Sequence, residues 1–264
     1  MTFPACITDS LSLAHPGWRP VLEEGIRAVI SADPRYLPDL EKEPFLPTRN
    51  RLFAAFSQPP DEVRYILVGE GPYPREESAT GYCFMDGAVH DIWSEKGFSR
   101  QVNRATSLRN FLKMLLVAEK TLLPDHTGEK AMAEIARVKP GSDFPYISSM
   151  SALQQALLDQ GFLLLNATLV FRRHVSPLRE SKAWQPFLRA ILDALAARAA
   201  KRDTPPPVLI LWGKAAEKLA RIESVSRFPQ VRSEHPYNLS FIKNREMQNL
   251  FGPMNILKNS IENK

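Results

Sequence analysis

Tyr65-Ile66-Leu67-Val68-Gly69-Glu70-Gly71-Pro72-Tyr73 is a short apolar run that breaks directly into a loop of glycine and proline. A run this short, rich in Ile, Leu and Val and closed by turn residues, is the pattern of a strand buried on both faces of a parallel sheet. Ligands of open α/β sheets bind beyond the carboxyl ends of the strands, so Glu70 and Tyr73 stand where a substrate would be met. Gly69 and Gly71 allow the backbone a close approach to a ligand or a positive φ, and Pro72 fixes the exit of the loop. The same stretch also fits a tight βα turn with only a folding role.

On either side the pattern repeats. Phe162-Leu163-Leu164-Leu165 and Val208-Leu209-Ile210-Leu211-Trp212 are further apolar runs, and a fourth strand is predicted near Val231, before Ser233-Glu234-His235. Helices are predicted over 18–31, 107–121, 149–160, 186–199 and 214–222. In the second, Leu108, Phe111, Leu112, Leu115 and Leu116 recur at helical spacing, with Thr106 or Ser107 available as a cap. Phe187, Leu188, Ile191, Leu192 and Leu195 recur behind Pro186, a residue suited to a first helical turn. Both stripes read as core. Pro205-Pro206-Pro207 reads as a stiff lead into the strand after it, not as a domain linker. Alternating strands and helices predict an α/β fold, with a parallel sheet covered on both faces.

Composition narrows the class. The chain has 264 residues, 44% of them hydrophobic, which suits one sizeable core in a single domain. Lys and Arg number 34 against 29 Asp and Glu, a net charge of +5 that suits a polyanionic partner without demanding one. Cys6 and Cys83 stand far apart, with no CxxC or Cys/His ligand spacing. Neither a disulfide framework nor a metal or iron–sulfur site is expected from them, and a reducing cytoplasm fits. The first 13 residues lack a basic start followed by an apolar core, and no run is long enough to span a bilayer. A cytoplasmic protein without a membrane span is therefore expected.

Three of the four predicted strand ends carry polar groups that a sheet alone does not need: the glycine loop, Asn166 and His235-Pro236. An Asn carboxamide offers an acceptor and two donors in fixed geometry, which matches the amide edge of a pyrimidine. Asn at a strand end also serves as an ordinary turn residue, and His before Pro is commonly a turn or surface residue. The other histidines, His15, His90, His126 and His174, share no ligand spacing.

Taken in order, these segments resemble the uracil-DNA glycosylase superfamily, and most of all family 1, over nearly the whole chain. Trp18-Arg19-Pro20-Val21-Leu22 resembles the N-terminal helix, and Gly69-Glu70-Gly71-Pro72-Tyr73 is similar to the water-activating loop, Gly-Gln-Asp-Pro-Tyr-His. Gly81-Tyr82-Cys83-Phe84 resembles the segment after that loop, and Ala105-Thr106-Ser107-Leu108 a Pro-Pro-Ser-Leu loop that has lost both prolines. Leu163-Leu164-Leu165-Asn166-Ala167-Thr168-Leu169 matches a Leu-Leu-Leu-Asn-Thr-Val-Leu strand. His235-Pro236-Tyr237-Asn238-Leu239-Ser240 resembles His-Pro-Ser-Pro-Leu-Ser.

This resemblance implies a three-layer α/β/α sandwich around a four-stranded parallel sheet, in one domain over 1–264, acting as a monomer on DNA that contains uracil or a related lesion. It implies that the nucleotide is flipped from the duplex, at a cost of about a few kcal/mol. Leu239 would then fill the vacated stack, Phe84 would lie against the base, and Asn166 would read O4 and N3–H. Tyr73, with Gly69 and Gly71 in the same loop, would stand against C5 and exclude the methyl of thymine. His235 would donate to O2 as charge develops on the departing base. Ser107, Arg109 and Ser240 would grip the DNA backbone.

The chain departs from the family where the loop normally carries the Asp that orients the attacking water, since Gly71 stands there. Glu70 occupies the adjacent place, as in glycosylase families that read Gly-Glu, and could take over the base and electrostatic role. Such families often hold an iron–sulfur cluster on four cysteines, and two cysteines cannot do so, so no cofactor is expected. Two readings stay open. One is an active hydrolase that uses Glu70; the other is a catalytically impaired DNA-binding relative, or a glycosylase of altered base preference.

Overall fold

The computed structural model describes residues 3–137, 144–214, 219 and 222–259. Six strands are present among them: β1 (Tyr65–Gly69), β2 (Trp93–Ser94), β3 (Gly97–Phe98), β4 (Phe162–Asn166), β5 (Val208–Trp212) and β6 (Gln230–Ser233). The main sheet has the order β4-β1-β5-β6, and β2 and β3 form a separate antiparallel hairpin. In the main sheet β1 runs parallel to β4, with Gly69 opposite Asn166, and parallel to β5, with Leu67 opposite Ile210. Ile66, Leu67 and Val68 are almost wholly buried, as are the apolar residues of β4. The α/β fold, a four-stranded parallel sheet flanked by helices, is the one the alternating pattern predicts.

The described residues fall into two compact units, one drawn from Met1–Asp86, Gly161–Leu211 and Ala215–Gln230, the other from Gly87–Gln160, Trp212–Lys214 and Val231–Lys264. In the first, the Arg19–Ala32 helix packs on the Pro177–Lys201 helix. Gly25 sits at their contact, where an added Cβ would come within 2.7 Å of the Phe187 ring. Phe187 is central to an aromatic cluster, with ring centroids 5.9 Å from Phe53, 6.1 Å from Phe56 and 5.5 Å from Trp184. Such rings bury the largest apolar areas of any side chains, and edge-to-face pairs add to that.

The helix expected to open at Pro186 instead starts at Pro177, and Pro186 lies in its interior. Ser176 supplies the cap, its hydroxyl accepting from the Arg179 N–H at 3.3 Å. An interior proline removes one hydrogen bond. The helix continues through it because Trp184, Phe187 and Leu188 are buried around it. Just before this helix, Arg172 and Glu180 form a buried ion pair at 2.7 Å, and the Tyr36 hydroxyl donates to the second Glu180 oxygen. Burial, and then the bond to Glu180, push the Tyr36 phenol well above its ordinary range, so it stays a donor.

In the second unit the Thr106–Ala118 helix buries Leu108, Phe111, Leu112, Leu115 and Leu116, the predicted stripe. Neither Thr106 nor Ser107 caps it: the N-cap is Ala105, which follows directly on the short Arg100–Arg104 helix and bonds back to its carbonyls. Trp212 packs on Phe111 and on Phe241, with centroids 5.6 and 5.4 Å away. The helix expected over 214–222 lies largely outside the described residues. No described helix is long and apolar enough to cross a membrane.

Truncating Phe187 to Ala should remove about 3 to 5 kcal/mol of stability, the usual loss for a fully buried ring. Urea titration of the purified variant checks this, and a loss under about 1 kcal/mol would show that the cluster is not a keystone of the first unit.

Candidate functional site

β1 and β4 end side by side, and their ladder runs past the strands. The Ala167 N–H donates to the Gly69 carbonyl at 2.9 Å, and the Thr168 N–H to the Glu70 carbonyl at 3.2 Å. Gly69 faces Asn166 in register, and a Cβ there would lie 2.8 Å from the Cys83 Cβ and 3.0 Å from Asn166 Oδ1. The missing side chain is what admits the Asn166 carboxamide, which is 4% exposed at the strand end. Neither Gly69 nor Gly71 has a positive φ. The loop glycines therefore supply close approach and not a left-handed turn, and only Gly69 is sterically required.

Cys83 closes the other side. Its N–H donates to the Leu164 carbonyl at 3.0 Å and its thiol to the Leu67 carbonyl at 3.2 Å. Burial pushes this thiol up to about 12, which makes it a packing group and not a nucleophile. Phe84 follows with φ +64°, a left-handed conformation that bulky residues rarely adopt. Strain of this kind costs of order 1 to 3 kcal/mol and concentrates at binding sites. Tyr73 is half-buried, and burial first, then the charge of Asp86, pushes its phenol above the ordinary range, so it stays neutral. The first unit thus brings Gly69, Cys83 and Asn166 together, with Phe84 next to Cys83 in the chain.

Gly71 differs from Gly69. An added Cβ would meet only the Thr168 carbonyl oxygen at 3.4 Å and the Thr168 Cβ at 3.5 Å, ordinary contacts that leave room for a side chain. Glu70 is exposed. With Gly71 and Pro72 it lines a cavity of about 550 Å³, together with Ala167, Thr168 and Arg172, among others. Tyr73, Phe84 and Asn166 do not line that cavity.

The remaining predicted residues belong to the second unit. His235 follows β6, and Gly213, at φ +55°, packs on it so closely that a Cβ would come within 2.9 Å of the His235 Cβ. His235 Nδ1 accepts from the Tyr237 N–H at 3.1 Å, which leaves the ring proton on Nε2 as a donor. Asn110, fully buried, donates from its amide to the Pro236 carbonyl at 2.8 Å, with longer contacts to the carbonyls of Tyr237 and Asn238. Leu239 is 70% exposed, while Phe241 and Ile242 just beyond it are buried. Ser240 is exposed, Ser107 is half-buried, and the Arg109 guanidinium donates to the Asn103 carbonyl at 2.7 Å. Asn110 and Gly213, to which the sequence reading gave no role, hold this loop. Each sits inside an ordinary pattern, one on a helix and one at a strand end, and only the fold gives it a partner. Among the described residues no three His, Cys, Asp or Glu side chains gather in a metal-binding arrangement.

Comparison with known proteins is consistent in direction. A crystal structure of wild-type UNG from Nitratifractor salsuginis superposes with a TM-score of 0.86 at 39% identity, covering 98% of this chain and 100% of that one. The uracil-DNA glycosylase of Corynebacterium glutamicum is 30% identical over 231 residues, 86% of this chain and 81% of that protein. The mimivirus uracil-DNA glycosylase, 17% identical with a TM-score of 0.53 over 89% of this chain and 73% of that one, shares the fold. No family model matches the chain.

The contrast between the two loop glycines is measurable. Gly69→Ala should cost about 1 to 3 kcal/mol through overpacking against Cys83 and Asn166, while Gly71→Ala should stay within about 0.5 kcal/mol of the parent. Paired denaturation curves decide it, and equal losses would mean that Gly69 does not hold the close contact described.

Proposed function

Because the chain belongs to the uracil-DNA glycosylase family, we propose that it removes uracil from DNA, with Glu70 in the part that Asp plays in family 1. The observation that carries this reading is the cradle at the ends of β1 and β4, where Gly69 leaves space for a buried Asn166 carboxamide. Asn166 donates its amide N–H to uracil O4 and accepts N3–H at its oxygen. Cytosine presents an amino group and a bare N3 at the same edge, so its polar atoms and those of Asn166 stay unpaired. Discrimination of this type reaches about 10⁴ to 10⁵. Tyr73 stands against C5, and the Phe84 ring stacks on the base.

Hydrolysis joins a water oxygen to C1′ of the sugar while the C1′–N1 bond breaks and its electron pair leaves with uracil. Glu70 orients the water and takes its proton. The negative charge spreads onto O2, where the Nε2–H of His235 donates. Leu239 fills the vacated stack, and Ser107, Arg109 and Ser240 hold the DNA backbone. An abasic site remains. Room for a side chain at position 71 supports the view that Gly71 is a free choice of this sequence and not a steric demand. The Glu70 carboxylate is then the acidic group of the loop.

Single-turnover excision from a uracil-containing oligonucleotide, read as alkali-labile sites, tests the assignment. Glu70→Gln should slow it about 10² to 10⁴-fold, the usual worth of a positioned base. Adding Gly71→Asp to that variant should recover part of the rate. Asn166→Ala should abolish the preference for uracil over cytosine. An unchanged rate in Glu70→Gln refutes the substitute-base role. Tight binding of uracil DNA by the parent without any abasic product would assign the chain to the binding class instead.

A further inference from the structure

The loop after His235 presents a second large apolar side chain beside Leu239. Tyr237 is 68% exposed and Leu239 70%, the two most exposed large apolar side chains among the described residues. Two residues apart, they lie within about 7 Å along the chain. That distance spans about two base steps of a DNA strand at 3.4 Å each.

Their exposure comes from a fixed loop. The Asn110 amide lies 2.8 to 3.5 Å from three successive carbonyls, those of Pro236, Tyr237 and Asn238. The Asn238 N–H donates to the His235 carbonyl at 2.9 Å, and the Tyr237 N–H to His235 Nδ1. Phe241 and Ile242 anchor the following turn in the core of the second unit, where Phe241 packs on Trp212. The backbone that carries Tyr237 is therefore held at the same points that orient His235. A ring held out in this way, at the cost of wetting its apolar faces, suits a flat apolar partner, and base stacks offer one on every step. The motif that the loop resembles has Ser at this position, so the aromatic is a feature of this chain.

We propose that Tyr237 is a second stacking element, lying against the base next to the one that Leu239 displaces, and that it sets a preference for duplex over single-stranded substrate. The assignment rests on the glycosylase reading above. A single strand has no stack to be held open, so the ring contributes most on a duplex.

Excision rates on one uracil sequence, as a duplex and as a single strand, should be compared for the parent, Tyr237→Ala and Tyr237→Phe. The duplex to single-strand ratio should fall about tenfold in Tyr237→Ala, within the range of one base–aromatic stack. Tyr237→Phe should keep the ratio, and the melting temperature should not move in either variant. A parallel binding experiment places 2-aminopurine beside the uracil: the parent should leave the probe stacked and dim, and Tyr237→Ala should leave it brighter. An unchanged ratio, or equal probe fluorescence in the two proteins, overturns the assignment. If the parent excises uracil from neither substrate, the excision reading fails, and the fluorescence comparison alone still decides the role of Tyr237.

Discussion

The register of β1 against β4 is the constraint on which the rest depends. It sets Gly69 opposite Asn166, and the absence of a side chain at one position makes room for a buried carboxamide at the other. A slip in that pairing would carry Asn166 away from the glycine. Apolar residues on both strands resist such a slip, because Ile66 through Val68 and Phe162 through Leu165 are buried together. Two further backbone bonds, to Gly69 and Glu70, extend the pairing into the loop and fix where Glu70 leaves it. Core packing and site geometry are thus one piece of architecture: the apolar half of each strand sets the register, and the polar end inherits it.

Much of this was legible in the chain because short apolar runs that end in turn residues have few alternatives. The strands fall where those runs stand, and the helical stripes are core. Pro186 was misread for a physical reason. A proline marks a helix start when nothing compels the chain to continue through it, and here Trp184 and Phe187 on either side are held in one aromatic cluster. The loop glycines were only half legible: sequence alone cannot tell a glycine needed for space, Gly69, from one that is not, Gly71. Asn110 was invisible because its partners lie 126 to 128 residues away.

Within the second unit, one buried amide and one glycine organise the segment from His235 to Ser240. Gly213 lets the strand end pack on His235, and Asn110 holds the carbonyls beyond it. The imidazole receives a defined tautomer from the Tyr237 backbone, and the side chains at 237 and 239 are turned outward. On the proposed reading, a donor for a departing anion and two stacking groups for a nucleic acid share this one short loop. Rigidity matters here, since an oxyanion donor acts best when it needs no reorganisation at the moment of bond cleavage.

The claim at the centre is that Asn166 reads the extruded base. A crystal structure of the Glu70→Gln protein with a duplex containing one uracil tests it most directly. The account predicts uracil O4 and N3 within hydrogen-bonding distance, about 3 Å, of the Asn166 carboxamide, with the Phe84 ring against the base. A uracil seated elsewhere, for instance in the cavity beside Glu70 with Asn166 untouched, would contradict it.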